Sequence, residues 1–450
     1  VAKFSTIQWR RIFIFNIFIA KSNLPADLYI MISKTTKTDK MRTLFLALAA
    51  GLLMSACEKN NDTPDQPYKP IVLDTKSASI VAANNDFGFN MLQQLNSEQI
   101  TEDNLFVSPL SISQALSMAW NGASGNTATE IASVLGYSKG MTDGINQSSR
   151  TIANALLNAD KSVAMSIANS IWYNQLYEIV PSFVDTCNAS YNAEVKRCDF
   201  SNNDASVKAI NGWVDDKTKG KIKSIVDQVT PYDALYLINA VYFKGSWVSK
   251  FEGDNTTNRP FTDINASHSL VSTMMQESTF NYASTSNCAA VELPYGNGHF
   301  SMVVMLPAEN SSVNDLLASL NSEVWNNLTQ SLSGRKVQIY LPKFKVECDF
   351  TLNDALKQLG MPQAFTDMAE FPNMLASTNL MISKVKHKTF VEVNEEGTEA
   401  AAVTSIGMVE TSMPGGEDQT IVFEVNRPFV FAIREKDTGS ILFIGKIVKL

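Results

Sequence analysis

Residues Glu395 to Ala402 read Glu-Glu-Gly-Thr-Glu-Ala-Ala-Ala, and the chemistry they suit is conformational. The run Phe390 to Val393 before them reads as a strand, and roughly twenty-five residues without helical or strand period follow before Ile421 to Ala432 resumes a β pattern. An exposed loop of that length inside a compact domain is uncommon and usually functional. Thr398, Ala400, Ala401, Ala402, Val403 and Thr404 are small or β-branched, so a sheet interior can accept them. Strand alternation turns Glu399 outward and Thr398, Ala400 and Ala402 inward, where a charged or bulky residue would be buried unpaired. Gly397 permits a sharp backbone change at the start of such a transition.

Covalent catalysis finds little support. The chain has three histidines, His268, His299 and His387. A hydrolytic triad needs one of them beside a nucleophile and an acid. His268 (in Asn-Ala-Ser-His-Ser) and His299 (in Gly-Asn-Gly-His-Phe) read as loop residues with no motif around them. Gly122-Ala-Ser124-Gly125 has the wrong spacing for a nucleophile elbow, and no P-loop, dinucleotide fingerprint or zinc-protease motif occurs. The reading is that the protein is not an enzyme and carries no metal or cofactor. A net charge of −8 without a basic run argues against nucleic acid as a partner.

The elements that must position the octet come in a mixed order. Ile80 to Leu95, Ser111 to Trp120, Thr127 to Leu135 and Ile152 to Ala168 have helical spacing; Gly136 stops the third. Strand patterns follow at Tyr236 to Phe243, Leu270 to Gln276, Met302 to Leu306, Val337 to Tyr340, Ile421 to Ile433 and Ile441 to Val448. Asp437-Thr438-Gly439 between the last two is hairpin chemistry. Helices first and strands later predict an α+β layout around antiparallel sheets.

Ordered blocks carry a family resemblance across roughly residues 77–450. Asn104 to Ser113, Asn239 to Trp247, Leu293 to Gly296, Met302 to Pro307, Leu341 to Phe344, Leu359 to Phe365, Val385 to Lys388, the octet, and Arg427 to Phe431 with Ile441 to Lys446 together resemble the serpins. That resemblance implies the serpin fold, helices packed around large antiparallel sheets with an exposed reactive-centre loop at about 395–420. It implies a suicide-substrate inhibitor of serine endopeptidases, in which the cut loop inserts into the central sheet. Glu395, Glu396, Gly397, Thr398, Glu399, Ala400, Ala401 and Ala402 become the hinge. His387, with Ser108, Ser111 and Asn239, matches a polar latch under the insertion point; the same residues also fit a satisfied core histidine. Trp247 matches a tryptophan where the loop enters, and equally fits plain core packing. Family spacing sets the scissile bond at Thr411-Ser412, with Met408, Val409 and Met413 as alternatives because the stretch after Ser412 is long. Thr, Val or Met there suits elastase-like or subtilisin-like proteases; no Arg or Lys lies between Glu395 and Gln419, which disfavours trypsin-like targets. A glutamyl-specific protease cutting after Glu410 and cysteine proteases remain open. The inhibitor is expected to act as a monomer.

The beginning of the chain predicts export. Met41-Arg42-Thr43, the apolar run Leu44 to Met54, then Ser55-Ala56-Cys57 resembles a bacterial lipoprotein signal, with Cys57 the lipidated residue. The expected division is an over-extended start at 1–40 (or an additional export segment), a signal at 41–56, a lipidated Cys57 with a polar tether at 57–76, and the serpin domain at 77–450. That places the protein at the cell envelope, in the outer membrane and exposed at the surface. Cys187, Cys198, Cys288 and Cys348 are unpatterned and read as buried free thiols.

Overall fold

In the computed structural model, residues 68–98, 102–138, 141, 144–375, 380–398 and 419–450 are described, all within the unit 66–450. The helices are α1 (Thr75–Glu98), α2 (Pro109–Gly122), α3 (Gly125–Val134), α4 (Ile145–Ala159), α5 (Pro181–Tyr191), α6 (Asn203–Lys217), α7 (Val313–Ser319), α8 (Ser322–Ser331) and α9 (Asn353–Leu359). The strands are β1 (Leu105–Val107), β2 (Ala164–Asn174), β3 (Glu194–Cys198), β4 (Leu235–Ser246), β5 (Thr257–Thr262), β6 (His268–Ser284), β7 (Cys288–Tyr295), β8 (Phe300–Pro307), β9 (Ser333–Pro342), β10 (Phe344–Thr351), β11 (Lys384–Asn394), β12 (Gly397–Thr398), β13 (Ile421–Glu424), β14 (Phe429–Glu435) and β15 (Ile441–Ile447). Among the described residues no helix is long and apolar enough to cross a bilayer.

Two sheets organise these strands. One runs β1-β15-β14-β8-β7-β6-β9-β13, with β5 on the edge of β6; the other runs β10-β11-β12-β4-β2-β3. Most ladders are antiparallel, but β2/β3, β4/β11 and β9/β13 are parallel, so both sheets are mixed. The main core joins α1, α2 and α4 to the inner faces of both sheets. A second cluster, including Trp172, Phe200, Trp213 and Tyr236, seats α6 on the outer face of the second sheet. Covered on both faces, β4 is buried almost throughout and reads as a continuous apolar run, whereas β10 alternates buried and exposed.

Several expectations give way here. The helix expected over Ile152 to Ala168 ends at Ala159, and Ala164 already belongs to β2. Asp160 makes the break: its carboxylate accepts the N–H and hydroxyl of Ser162 (2.8 and 2.6 Å) and the N–H of Asn297 (2.7 Å). The run Ile421 to Ile433 is two strands with different partners, parted at Val425 to Pro428, where proline cannot donate to a ladder. His268 opens β6, and His299, in a turn, is buried at 2 % exposure. The tether expected over 57–76 also ends early. Tyr68 stacks on His299, Ile71 bonds to Asp437, and Asp74 caps α1 by accepting the N–H and hydroxyl of Ser77 (3.0 and 2.7 Å). The four cysteines are unpaired thiols; Cys198 alone among them is only half-buried.

Candidate functional site: a splayed pair of strands

The second sheet contains a gap. β4 and β11 run parallel, but their ladder extends only from Lys384↔Tyr236 to His387↔Asn239. Above that rung, β11 stays paired with β10 and β4 with β2, so each strand keeps its outer ladder. At the top, Gly397 and Thr398 sit between them as β12, antiparallel to both. Carried upward at the same offset, the β4/β11 register sets Val393 opposite Gly245; Thr398 pairs with each. The two strands are therefore in register with one strand's place between them, and Gly397 and Thr398 occupy the top of that place.

The sequence explains why the hinge docks here. Gly397 has φ 150°, and a Cβ would stand 2.1 Å from the carbonyl oxygen of Gly245, so only glycine fits. Thr398 is buried, its hydroxyl 2.5 Å from that of Tyr295. Tyr295 stacks on Trp247 (4.4 Å between centroids, 15°). Trp247 in turn donates its backbone N–H to the Glu396 carbonyl (2.9 Å) and its indole N–H to the Asn394 carbonyl (3.0 Å). The two acids ahead of the glycine are tied down as well. Glu396 pairs with Lys250 at 2.6 Å, and Glu395 with Lys343 at 2.9 Å while accepting the Thr256 hydroxyl at 2.9 Å. Burial works against ionised Glu395, but the bonds from Lys343 and Thr256, together with its own backbone N–H, outweigh it and hold its carboxyl below the usual range.

The expected latch residues meet at the last rung, with a different wiring. His387, Asn239, Ser108 and Ser111 are all at most 2 % exposed. The imidazole Nε2 accepts the backbone N–H of Ser108 at 3.0 Å, not a bond from an Asn or Ser side chain. The reason is local. Ser108 is the N-cap of α2, and its hydroxyl is committed to the Leu442 carbonyl (2.6 Å) and to the Ser111 N–H, which leaves its own N–H for the ring. Asn239 donates to Asn169 Oδ1, and Asn169 donates to Gln114 (2.9 Å) and the Tyr191 carbonyl (3.2 Å). His387 Nδ1, Ser111 Oγ and Asn239 Oδ1 have no hydrogen-bond partner in the structure. Burial pushes the His387 pKa down to about 3, so the ring is neutral at physiological pH, with its proton on Nδ1.

Glu399, Ala400, Ala401, Ala402, the reactive-bond positions Met408, Val409, Thr411, Ser412 and Met413, and Cys57 lie outside the described residues. Four contributors had no assigned role in the sequence reading: Tyr295, Asn169, Lys250 and Lys343. Tyr295 and Lys343 stand inside two of the ordered blocks, Leu293 to Gly296 and Leu341 to Phe344, which mark their positions but not their partners.

The comparisons with known proteins bear on this geometry. Residues 82–450 match the family model described as serpin, serine protease inhibitor. The chain belongs to the serpin family. This serpin is 36% identical over 372 residues to a leukocyte elastase inhibitor of Xenopus tropicalis, covering 80% of this chain and 96% of the relative. It is 35% identical over 391 residues to human Serpin B4, covering 82% and 98%. Among solved structures, the native state of the thermophilic serpin tengpin superposes with a TM-score of 0.76 at 32% identity, over 85% of this chain and 97% of that one. A thyroxine-binding globulin in complex with thyroxine gives 0.75 at 27% identity, over 82% and 99%. The α+β serpin fold expected from the sequence is the fold observed.

Proposed function

We propose that this serpin is a suicide-substrate inhibitor of serine endopeptidases of elastase-like or subtilisin-like specificity. The observation that carries the proposal is the hinge seated between two parallel strands that are splayed but in register. Extending its antiparallel register down β11 assigns Glu399 to Val403 to the open rungs opposite Glu392 to Lys388. The next four residues, Thr404 to Gly407, would take the rungs from His387 to Lys384 and must displace the β4/β11 ladder to do so. Ala400, Ala402 and Thr404 then share the inward face with Thr398. On that register Thr411-Ser412 would fall beyond the rung of Lys384, outside the inserted stretch.

The reaction follows from that arrangement. The protease serine Oγ attacks the Thr411 carbonyl carbon, the bond to the Ser412 nitrogen breaks, and the amine leaves with a proton. The ester that remains links the protease to a loop end no longer tethered at Ser412. Insertion pairs the new strand on both sides, at about 1 kcal/mol net per hydrogen bond and on the order of 10 kcal/mol in all, before side-chain burial is added. That energy draws the protease along the sheet and distorts it before water reaches the ester.

Fold alone does not choose inhibitor over carrier, and thyroxine-binding globulin shares this fold while binding thyroxine. The small, uncharged inward positions of the hinge favour the inhibitor. The deciding experiment incubates the protein with an elastase-type and a subtilisin-type protease, followed by denaturing gel and intact mass. A covalent complex with release of a peptide beginning at Ser412 supports mechanism and cut together; loop cleavage without complex across a wider panel refutes the inhibitor reading.

We also propose that the protein is exported and held at the cell envelope, in the outer membrane, by lipid on Cys57, where it guards a Gram-negative surface against foreign proteases. The support is the signal-like segment 41–56 ending at that cysteine. Cys57→Ser should release the protein from membranes, and an intact mass beginning upstream of Cys57 in the mature protein refutes the processing.

A further inference from the structure

Around the turn of the β14–β15 hairpin, three potential ligand groups converge in a place that the proposed inhibition does not use. His299 lies in the turn between β7 and β8; Glu435 ends β14; Asp437 follows in the hairpin turn. His299 Nδ1 is 3.5 Å from Glu435 Oε1 and 3.1 Å from Asp437 Oδ2. Neither oxygen is aligned as a hydrogen-bond partner, so a buried ring nitrogen points between two carboxylates with no partner of its own. Glu435 is 0 % exposed, and its Oε1 faces that imidazole at 3.5 Å. Buried carboxylates are ordinarily paired with a cation or bound to a metal.

We propose that His299, Glu435 and Asp437 form a binding site for a transition-series divalent cation of the Zn²⁺ class. One group from each residue lies within 4.8 Å of the others. With bonds of about 2.1 Å, the observed separations correspond to N–metal–O angles of about 95° and 113°, which bracket the tetrahedral value. The nitrogen donor selects against Ca²⁺ and Mg²⁺, which take oxygen ligands.

The surrounding bonds orient the ligands without using them up. Glu435 Oε1 accepts the Asp437 N–H (3.0 Å), and Oε2 accepts the Thr438 N–H and hydroxyl (2.8 and 2.6 Å). Asp437 Oδ2 accepts the Ile71 N–H (2.9 Å), and Oδ1 the Tyr68 hydroxyl. Each oxygen that faces the nitrogen keeps a second lone pair. Tyr68 lies flat on the imidazole (4.2 Å, 16°) and so leaves the ring's edge free. The Asp437 side chain, 16% exposed, gives a cation and its completing water a way in. Through Asp437 the ion would fasten the 68–71 segment to both turns.

The test is a Zn²⁺ titration of the intact chain by calorimetry and thermal melting, with Co²⁺ absorption as a second readout and Mg²⁺ and Ca²⁺ as comparison ions. Asp437→Asn, on the accessible side, and His299→Gln are compared with the wild type. The expected result is one more equivalent of Zn²⁺ bound by the wild type than by either variant, a Tm rise that saturates with it, and a tetrahedral Co²⁺ spectrum lost in Asp437→Asn. Equal stoichiometry and affinity in all three proteins, or stabilisation by Ca²⁺ and not Zn²⁺, overturns the site.

Discussion

The hydroxyls of Thr398 and Tyr295, 103 positions apart in the chain, lie 2.5 Å from each other in the interior, where the hinge enters the sheet. That contact makes the inward face of the hinge a specific fit rather than a matter of small volume. Thr398→Arg would bury an unpaired charge against Tyr295 at a cost of several kcal/mol. On the proposed mechanism the variant becomes a substrate: its loop is cut at the wild-type rate and the covalent complex disappears from the gel. Retained inhibition would show that insertion does not trap the protease.

Gly397→Ala should expel the hinge from between β4 and β11. The new methyl would meet the Gly245 carbonyl oxygen at 2.1 Å, on a backbone with φ 150° that costs about 1–3 kcal/mol for a non-glycine residue. Trp247, held to the hinge by two hydrogen bonds, reports the change; its fluorescence should shift toward a more exposed indole. An unchanged spectrum would mean that the hinge does not need this seat.

Acid should loosen the last rung of the β4/β11 ladder. Buried His387 titrates at about 3, against an ordinary 6.5, so below pH 6.5 a state that exposes the ring binds more protons than the closed one. The closed ladder is thus at full strength above pH 6.5 and loses stability as pH falls from there toward about 3. Conversion to a loop-inserted latent form, followed by loss of inhibition, should accelerate near pH 5 relative to about pH 8. His387→Ala should convert faster at neutral pH and lose most of that acceleration. A wild-type rate flat with pH would remove His387 from the control of opening.

Arg434→Leu should destabilise the first sheet by about 3–5 kcal/mol, because it strands the Glu292 carboxylate in the interior. Arg434 bonds Glu292 at 2.6 and 3.1 Å, and Glu292 is 3 % exposed. Denaturant unfolding measures the loss. Glu292→Gln combined with Arg434→Leu should recover part of it, since no charge is then left buried alone.

The sequence was most legible where one pattern sufficed. The helices α1, α2 and α3 and the strands β4, β8 and β15 follow their apolar periods to within a few residues, because each buries a single continuous stripe or a whole apolar run. It was least legible where a short polar contact redirects the chain, as at Asp160 before β2, or where a short edge strand is only half-buried, as in β3. Ordered motifs pointed to Glu395 to Thr398 and to Ser108, Ser111, Asn239 and His387, whose surroundings the structure describes. Their wiring was not legible: it depends on the backbone N–H of Ser108, which as an N-cap donates nothing to the helix ladder, and on Asn169 in a stretch that reads as neither strand nor site. Tyr295 illustrates the same limit, since a residue's partners across a fold are set by register, which sequence spacing alone does not supply.

The splayed pair has a consequence for the protein in bulk. Two strand edges facing each other across open rungs, already in register, are indifferent to which chain supplies the strand that fills them. Exposed edges are templates for self-association, and here the template is internal and shaped for a sequence that every copy carries. If insertion works as proposed, protein concentration should therefore matter to this molecule as directly as protease does. On the proposed mechanism, at high concentration the loop of one copy would compete for the slot of its neighbour, and strand insertion would link copies to one another instead of trapping a protease.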